Sequence, residues 1–122
     1  MNLRELRAVA ARTLASHNIS AHVYISDSPP SPVPYHITGQ AMHCKHADGA
    51  LTHTIWLSTE LAPSERLEIL LHELAHVIVF ALTGEGGHNE HWMQWARALG
   101  VGDPNIEHNL RAEAQRKEPM YA

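Results

Sequence analysis

The chain has 122 residues, 44% of them hydrophobic and 18% charged, with 9 Lys and Arg against 13 Asp and Glu, one Cys and 11 His. That length suits one domain, which buries about two-thirds of its unfolded surface and needs no covalent staples, and a lone Cys44 excludes an internal disulfide. A net charge of -4 argues against a nonspecific nucleic-acid binder, and no run approaches the roughly 18 apolar residues of a membrane span.

Arg4, Arg7 and Arg12 give the start the basic look of an organelle transit peptide, but Glu5 interrupts it and the apolar core of a signal peptide is missing. The expectation is a soluble, cytoplasmic protein with no membrane association. Leu3, Leu6, Ala10 and Leu14 recur at helical spacing, which predicts an amphipathic helix over residues 2–16. Val23 and Ile25 alternate within residues 21–26, as in a short strand. Four prolines between Asp27 and Pro34 remove backbone donors and mark a loop, not a domain linker.

Between Tyr35 and Ser58 the strand formers surround Asp48-Gly49, a two-residue turn signal, so a hairpin is predicted. That turn pairs Ala47 with Ala50 and Met42 with Ile55. It assigns Met42, Cys44, Leu51, Ile55 and Leu57 to the core face, with His43, Lys45, Thr52, Thr54 and Trp56 opposite. Pro63 suits a first helical residue, and Leu67, Leu70, Leu71, Leu74, Ile78 and Val79 predict a largely buried helix to about Leu82. Three glycines within Thr83–Gly87 break it. A helix over about 89–99 closes on Gly100, and Asp103-Pro104 opens a more polar helix to about Lys117.

The long helix carries His72-Glu73-Leu74-Ala75-His76, an HExxH motif. Residues four apart share a helix face, so both imidazoles reach one ion, while Glu73 lies about 100° round, near the ion without binding it. Two imidazoles and a carboxylate are costly inside an apolar helix unless satisfied, which a metal would do. Two His and a proton-accepting carboxylate are the parts of a zinc hydrolase. A metzincin would need Gly and His where Val79 and Leu82 stand, so that class is excluded. Glu85, Glu90 and Glu107 are candidates for a gluzincin-type third ligand without a supporting motif. His88 and His91, at the head of the next helix, offer imidazole instead, and His88 is preferred.

The run Glu68 to His76, followed by Gly87-His88 and Trp92, resembles the SprT-like zinc metalloproteases, which include the bacterial SprT proteins and the DNA-protein crosslink protease Spartan. Gly39-Gln40-Ala41, the hairpin and Ile55-Trp56-Leu57-Ser58 are similar to the family's run-in, so the resemblance covers roughly residues 1–100. It implies one Zn2+ on His72, His76 and His88, with Glu73 as catalytic base, in a metalloendopeptidase that hydrolyses peptide bonds through a metal-activated water. Asn89 stands where the family has Gly, and Asn tolerates the left-handed backbone that such a turn would use. A C-terminal four-cysteine ribbon, common in the family, cannot be built from Cys44 alone.

The expected fold is therefore α+β and zincin-like: a minimal SprT-like domain spanning residues 1–122, with a small antiparallel sheet, the HExxH helix and a ligand-bearing helix after it. The expected partner is a protein or peptide substrate, which a sheet edge beside the metal could pair as an added strand. Two rivals stand beside this reading. One is a DNA-associated protease acting on DNA-protein crosslinks, unsupported by the charge; the other is a noncatalytic zinc-stabilised interaction module. Trp92 and Trp95 read as packing residues, with Trp92 holding the ligand helix against the HExxH helix. Trp56, on the outer hairpin face, is a candidate for base stacking with only Lys45 as a cation on that face. His43, Cys44, His46 and His53 read as ordinary strand residues, and His17, His22, His36 and His108 carry no assigned role.

Overall fold

The computed structural model describes residues 2–28, 38–102 and 104–105. Its elements are α1 (Leu3–Ser16), β1 (His22–Ser26), β2 (Gly39–Lys45), β3 (Leu51–Leu57), α2 (Pro63–Thr83) and α3 (Glu90–Leu99). The expected helix over 103–117, most of the proline-rich loop, and Glu107, His36 and His108 lie outside the described residues. No helix among the described residues is long and apolar enough to cross a membrane.

Each helix has a local reason to start and stop where it does. In α1 the Asn2 side chain accepts the Glu5 N–H at 2.8 Å, satisfying one of the free donors of the first turn. At α2 the N-cap is Ala62, which has no capping side chain, and the Glu65 carboxylate accepts the Ala62 N–H at 2.8 Å. Pro63 follows as the first helical residue. The helix is buried nearly all round from Ile69 to Val79, as a central helix must be.

The three described strands form one α+β sheet in the order β1-β3-β2. The expected all-antiparallel sheet is corrected here: β2 runs antiparallel to β3, but β1 pairs with β3 in parallel, Ile25 opposite Ile55. Adjacent hairpin signals say nothing about β1, whose direction is set by burying Ile25 beside Ile55 and Leu57 under α1 and α2. That core joins Leu6, Ala10 and Leu14 of α1 to Ile69, Leu70, Leu74, Val77 and Ile78 of α2. A second cluster packs Ala75 and Val79 of α2 against Trp92 and Ala96 of α3.

The hairpin register differs from the expected one by a single residue. The turn closes with the His46 N–H on the Ala50 carbonyl at 2.8 Å and the Gly49 N–H on the His46 carbonyl at 2.9 Å. Ala47, Asp48 and Gly49 thus form a three-residue loop. The Asp48 carboxylate accepts the Ala50 N–H at 3.0 Å, and Gly49 takes φ 89°, the left-handed position that such a loop requires. Met42 now faces Thr54, and His43 faces His53. Because strand side chains alternate, the slip moves all of β2 to the other side. His43 and Lys45 share the helix-facing side with Leu51, His53, Ile55 and Leu57, while Met42 and Cys44 join Thr52, Thr54 and Trp56.

Trp56 is 5% exposed, which removes it as a base-stacking platform. Cys44 is exposed. The expected register would instead have turned Cys44 into the core under α2, so thiol chemistry distinguishes the two. In the native protein Cys44 is expected to react with a water-soluble disulfide reagent at a rate close to that of the unfolded chain; strong protection in the native state would restore the two-residue turn.

Candidate metal centre

The motif helix presents His72 and His76 from successive turns of α2, and the chain returns a third imidazole to them through a short loop. Gly84 caps α2 in the left-handed conformation, its N–H on the Phe80 carbonyl at 2.8 Å. Gly87, at φ 82°, then makes the turn that delivers His88. Asn89 departs from expectation. Its backbone is extended, at φ -79° and ψ -174°, and it serves as the N-cap of α3, accepting the Trp92 N–H at 2.9 Å. The left-handed residue of this turn is Gly87, so a glycine after the third histidine is unnecessary: a capping side chain does the work there.

His88 Nε2 lies 3.1 Å from His76 Nε2 and 3.2 Å from His72 Nε2. His72, His76 and His88 form the one cluster of three possible metal-ligating side chains among the described residues. Zinc bonds of about 2.0–2.1 Å in a tetrahedral shell set ligand atoms about 3.3 Å apart, so the three nitrogens fit that ion. Imidazole lone pairs aimed at one point repel one another, and a cation between them reverses the sign of that interaction. Burial falls from His72, which is buried, through His76 to His88, which is exposed, so the cluster opens to solvent on the loop side.

Trp92 is the packing base of the cluster. Its indole lies 4.7 Å from the His72 ring, 5.2 Å from His76 and 4.4 Å from His88 by ring centroids. The buried Nε1–H donates to the His72 carbonyl at 3.3 Å. One side chain from α3 thereby touches all three rings and is also tied to the α2 backbone. His91 points elsewhere: its Nδ1 meets the Glu85 carboxylate at 3.1 Å, and Glu85 also accepts from the Asn89 side chain at 2.7 Å. Glu85, the gluzincin-type candidate, is occupied in this surface network that braces the loop, and Glu90 is exposed in the first turn of α3.

Glu73 is 3% exposed and lines a cavity of about 320 Å³ together with His76. Gly39, Gln40, Ala41 and His43 of β2 form another part of its wall, and Gly86 and Gly87 contribute from the loop. Among the described strands β2 is at the sheet edge, so its outer side borders the space beside the imidazoles.

His43 is a participant that sequence reasoning left among ordinary strand residues. Its Nδ1 lies 2.8 Å from His53 Nδ1, and its ring stacks on Phe80 at 4.0 Å with a 5° interplanar angle. Burial lowers the His43 pKa below the ordinary 6.5. His53 is lowered as well, by burial first and then by the proximity of His43. The histidines of the hairpin were visible in the sequence, but the face each lies on depends on the hairpin register.

Both histidines resist protonation when folded, so the unfolded chain binds more protons as pH falls through 6.5. Stability contributed by the neutral pair is present above that pH, declines below it, and levels off under the folded pKa values. In metal-free protein, urea titrations at pH 7.5 and pH 5.5 are expected to show a smaller acid-side loss for a His43→Gln, His53→Gln double variant than for the parent. Equal losses would show that the pair does not titrate differently on folding.

A scan for known families matches residues 12–112 to the SprT-like family, a span displaced toward the C-terminus from the 1–100 expected. No curated protein matches the chain significantly, and no solved structure does. The match covers most of the chain, including the hairpin, the motif helix and the helix that follows the third histidine. The chain belongs to the SprT-like family.

Proposed function

We propose that this chain is a zinc-dependent endopeptidase, with His72, His76 and His88 as the metal ligands and Glu73 as the catalytic base. The reading is carried by one observation: His88 Nε2 lies 3.1–3.2 Å from the Nε2 atoms of His76 and His72, beside a cavity whose wall holds a nearly buried Glu73. Family membership supports it, since SprT-like domains are commonly zinc metallopeptidases. Three ligands with the last one exposed favour a catalytic site over a closed structural one, which normally takes four.

Zinc, when bound, would supply Lewis acidity, lowering the pKa of a water toward about 7 and polarising the scissile carbonyl. Glu73 takes the proton of the attacking water and passes it to the leaving amine as the C–N bond breaks. The outer edge of β2 pairs with the substrate main chain, which places a peptide bond along the cavity. Trp92 holds the three imidazoles in their mutual orientation. A polypeptide substrate is favoured over a DNA-linked one by the net charge of -4 and by the burial of Trp56.

Two measurements test this. Glu73→Gln is expected to retain one zinc per chain by elemental analysis while cleaving an unfolded protein substrate at least about 100-fold more slowly; undiminished cleavage would remove the assignment. His72→Ala, His76→Ala and His88→Ala should each lower bound zinc, whereas His91→Ala should leave it at the wild-type level. Loss of metal in the His91 variant, with retention in the His88 variant, would transfer the third-ligand role.

A further inference from the structure

The proposed mechanism leaves one group at the cavity without a role. His43 comes from β2 rather than from the motif helix, and it lines the same space as Glu73 and His76. Its position is constrained twice, by the flat stack on Phe80 and by the nitrogen contact with His53. A surface imidazole of no consequence would need neither constraint.

The contact with His53 determines where the proton of His43 sits. At 2.8 Å the two Nδ1 atoms share one hydrogen, so one ring carries Nδ1–H and the other accepts through a bare Nδ1. If His43 were the donor, neutral His53 would carry its proton on Nε2. His53 is 1% exposed, and among the described residues its side chain has no hydrogen bond besides the one to His43. That arrangement puts an N–H without a protein acceptor on the more enclosed of the two rings, which is the less favourable side for it. The reverse arrangement avoids this: His53 donates Nδ1–H, His43 accepts on Nδ1, and the proton of His43 is on Nε2, the ring nitrogen not used in the contact with His53. Burial lowers the pKa of both rings, the direction that favours the neutral pair a single shared proton requires.

We infer that His43 is a second catalytic residue, donating Nε2–H to the carbonyl oxygen of the peptide bond under attack, and that His53 is the positioning residue that selects this tautomer. The inference rests on the endopeptidase reading. As the water oxygen bonds to the carbonyl carbon, the C=O electron pair moves to oxygen, Glu73 receives the water proton, and the hydrogen bond from His43 strengthens with the growing negative charge. The C=O bond re-forms when the C–N bond breaks, and the proton on Glu73 leaves with the amine. His43 keeps its own proton throughout, so no further acid or base is needed. A donor already held in place and partly screened from water is the kind of group that stabilises such charge most effectively.

The test uses zinc-loaded full-length chain with an unfolded protein substrate. His43→Phe preserves the flat ring against Phe80 and removes both nitrogens. It is expected to lower kcat about 100-fold, with KM little changed and one zinc per chain retained. His43→Gln, whose amide can donate from a similar position, should recover part of that loss, and it serves equally if the Phe variant fails to fold. Nitrogen-15 NMR of the wild type should show His43 as the Nε2–H tautomer and His53 as the Nδ1–H tautomer. His53→Leu should lower kcat less than His43→Phe does, and should release His43 into a mixture of tautomers. Wild-type kcat in both His43 variants, or an Nδ1–H tautomer at His43, would overturn the inference while leaving the endopeptidase reading intact. A wild-type protein that cleaves nothing would remove both.

Discussion

The site depends on the contact between Trp92 and the three imidazoles. An HExxH segment in a buried helix brings two histidines and a glutamate into an apolar interior, an arrangement that is costly unless the polar groups find partners. The indole packs against the rings of His72, His76 and His88, stacked on His76 and at steeper angles to the other two, and its own N–H is satisfied by the His72 carbonyl. It also pins α3 to α2, and His88 stands at the head of α3. The imidazole that arrives from the loop is therefore held by the same side chain that supports the two imidazoles on the helix.

The hairpin supplies the opposite wall, and its geometry turns on one residue of loop. With Gly49 in the left-handed region and Asp48 capping the Ala50 N–H, the loop takes three residues instead of two. A period-two strand converts that single residue into a complete exchange of faces. His43 then meets His53 and Phe80 on the α2 side, where it borders the Glu73 cavity, and Cys44 is turned outward. The hairpin's histidine pair and the three-imidazole cluster come from unrelated segments. They become neighbours because α2 lies across β2 and β3.

Much of the architecture was legible in the sequence because its signals are local. The apolar stripes of α1 and α2, Pro63 at a helix start, Gly84 and Gly100 at helix ends, and the HExxH spacing all act within a turn or two. Those elements appear within a residue or so of their expected bounds. The convergence of His88 on His72 and His76 was anticipated through the pairing of the HExxH and Gly87-His88 motifs, and it is where the structure brings the rings together. The parallel pairing of β1, the capping role of Asn89, the burial of Trp56 and the placement of His43 were not legible. Three of these are decided by partners distant in the chain, whereas the Asn89 cap is a local contact with the Trp92 N–H three residues on.

By itself the sequence determined which residues can do chemistry: two imidazoles and a carboxylate fixed on one helix by the 3.6-residue repeat, with further imidazoles a short loop away. Tertiary structure decided which of the remaining histidines joins them. His88 rather than His91 meets the pair, because Gly87 turns the chain before α3 begins and Glu85 draws His91 outward. His43 reaches the cavity because the loop length selects a register, and register is a property of two strands in contact. The composition of 11 histidines records the supply; which of them join the three-imidazole cluster, pair across the hairpin or stay at the surface follows from packing.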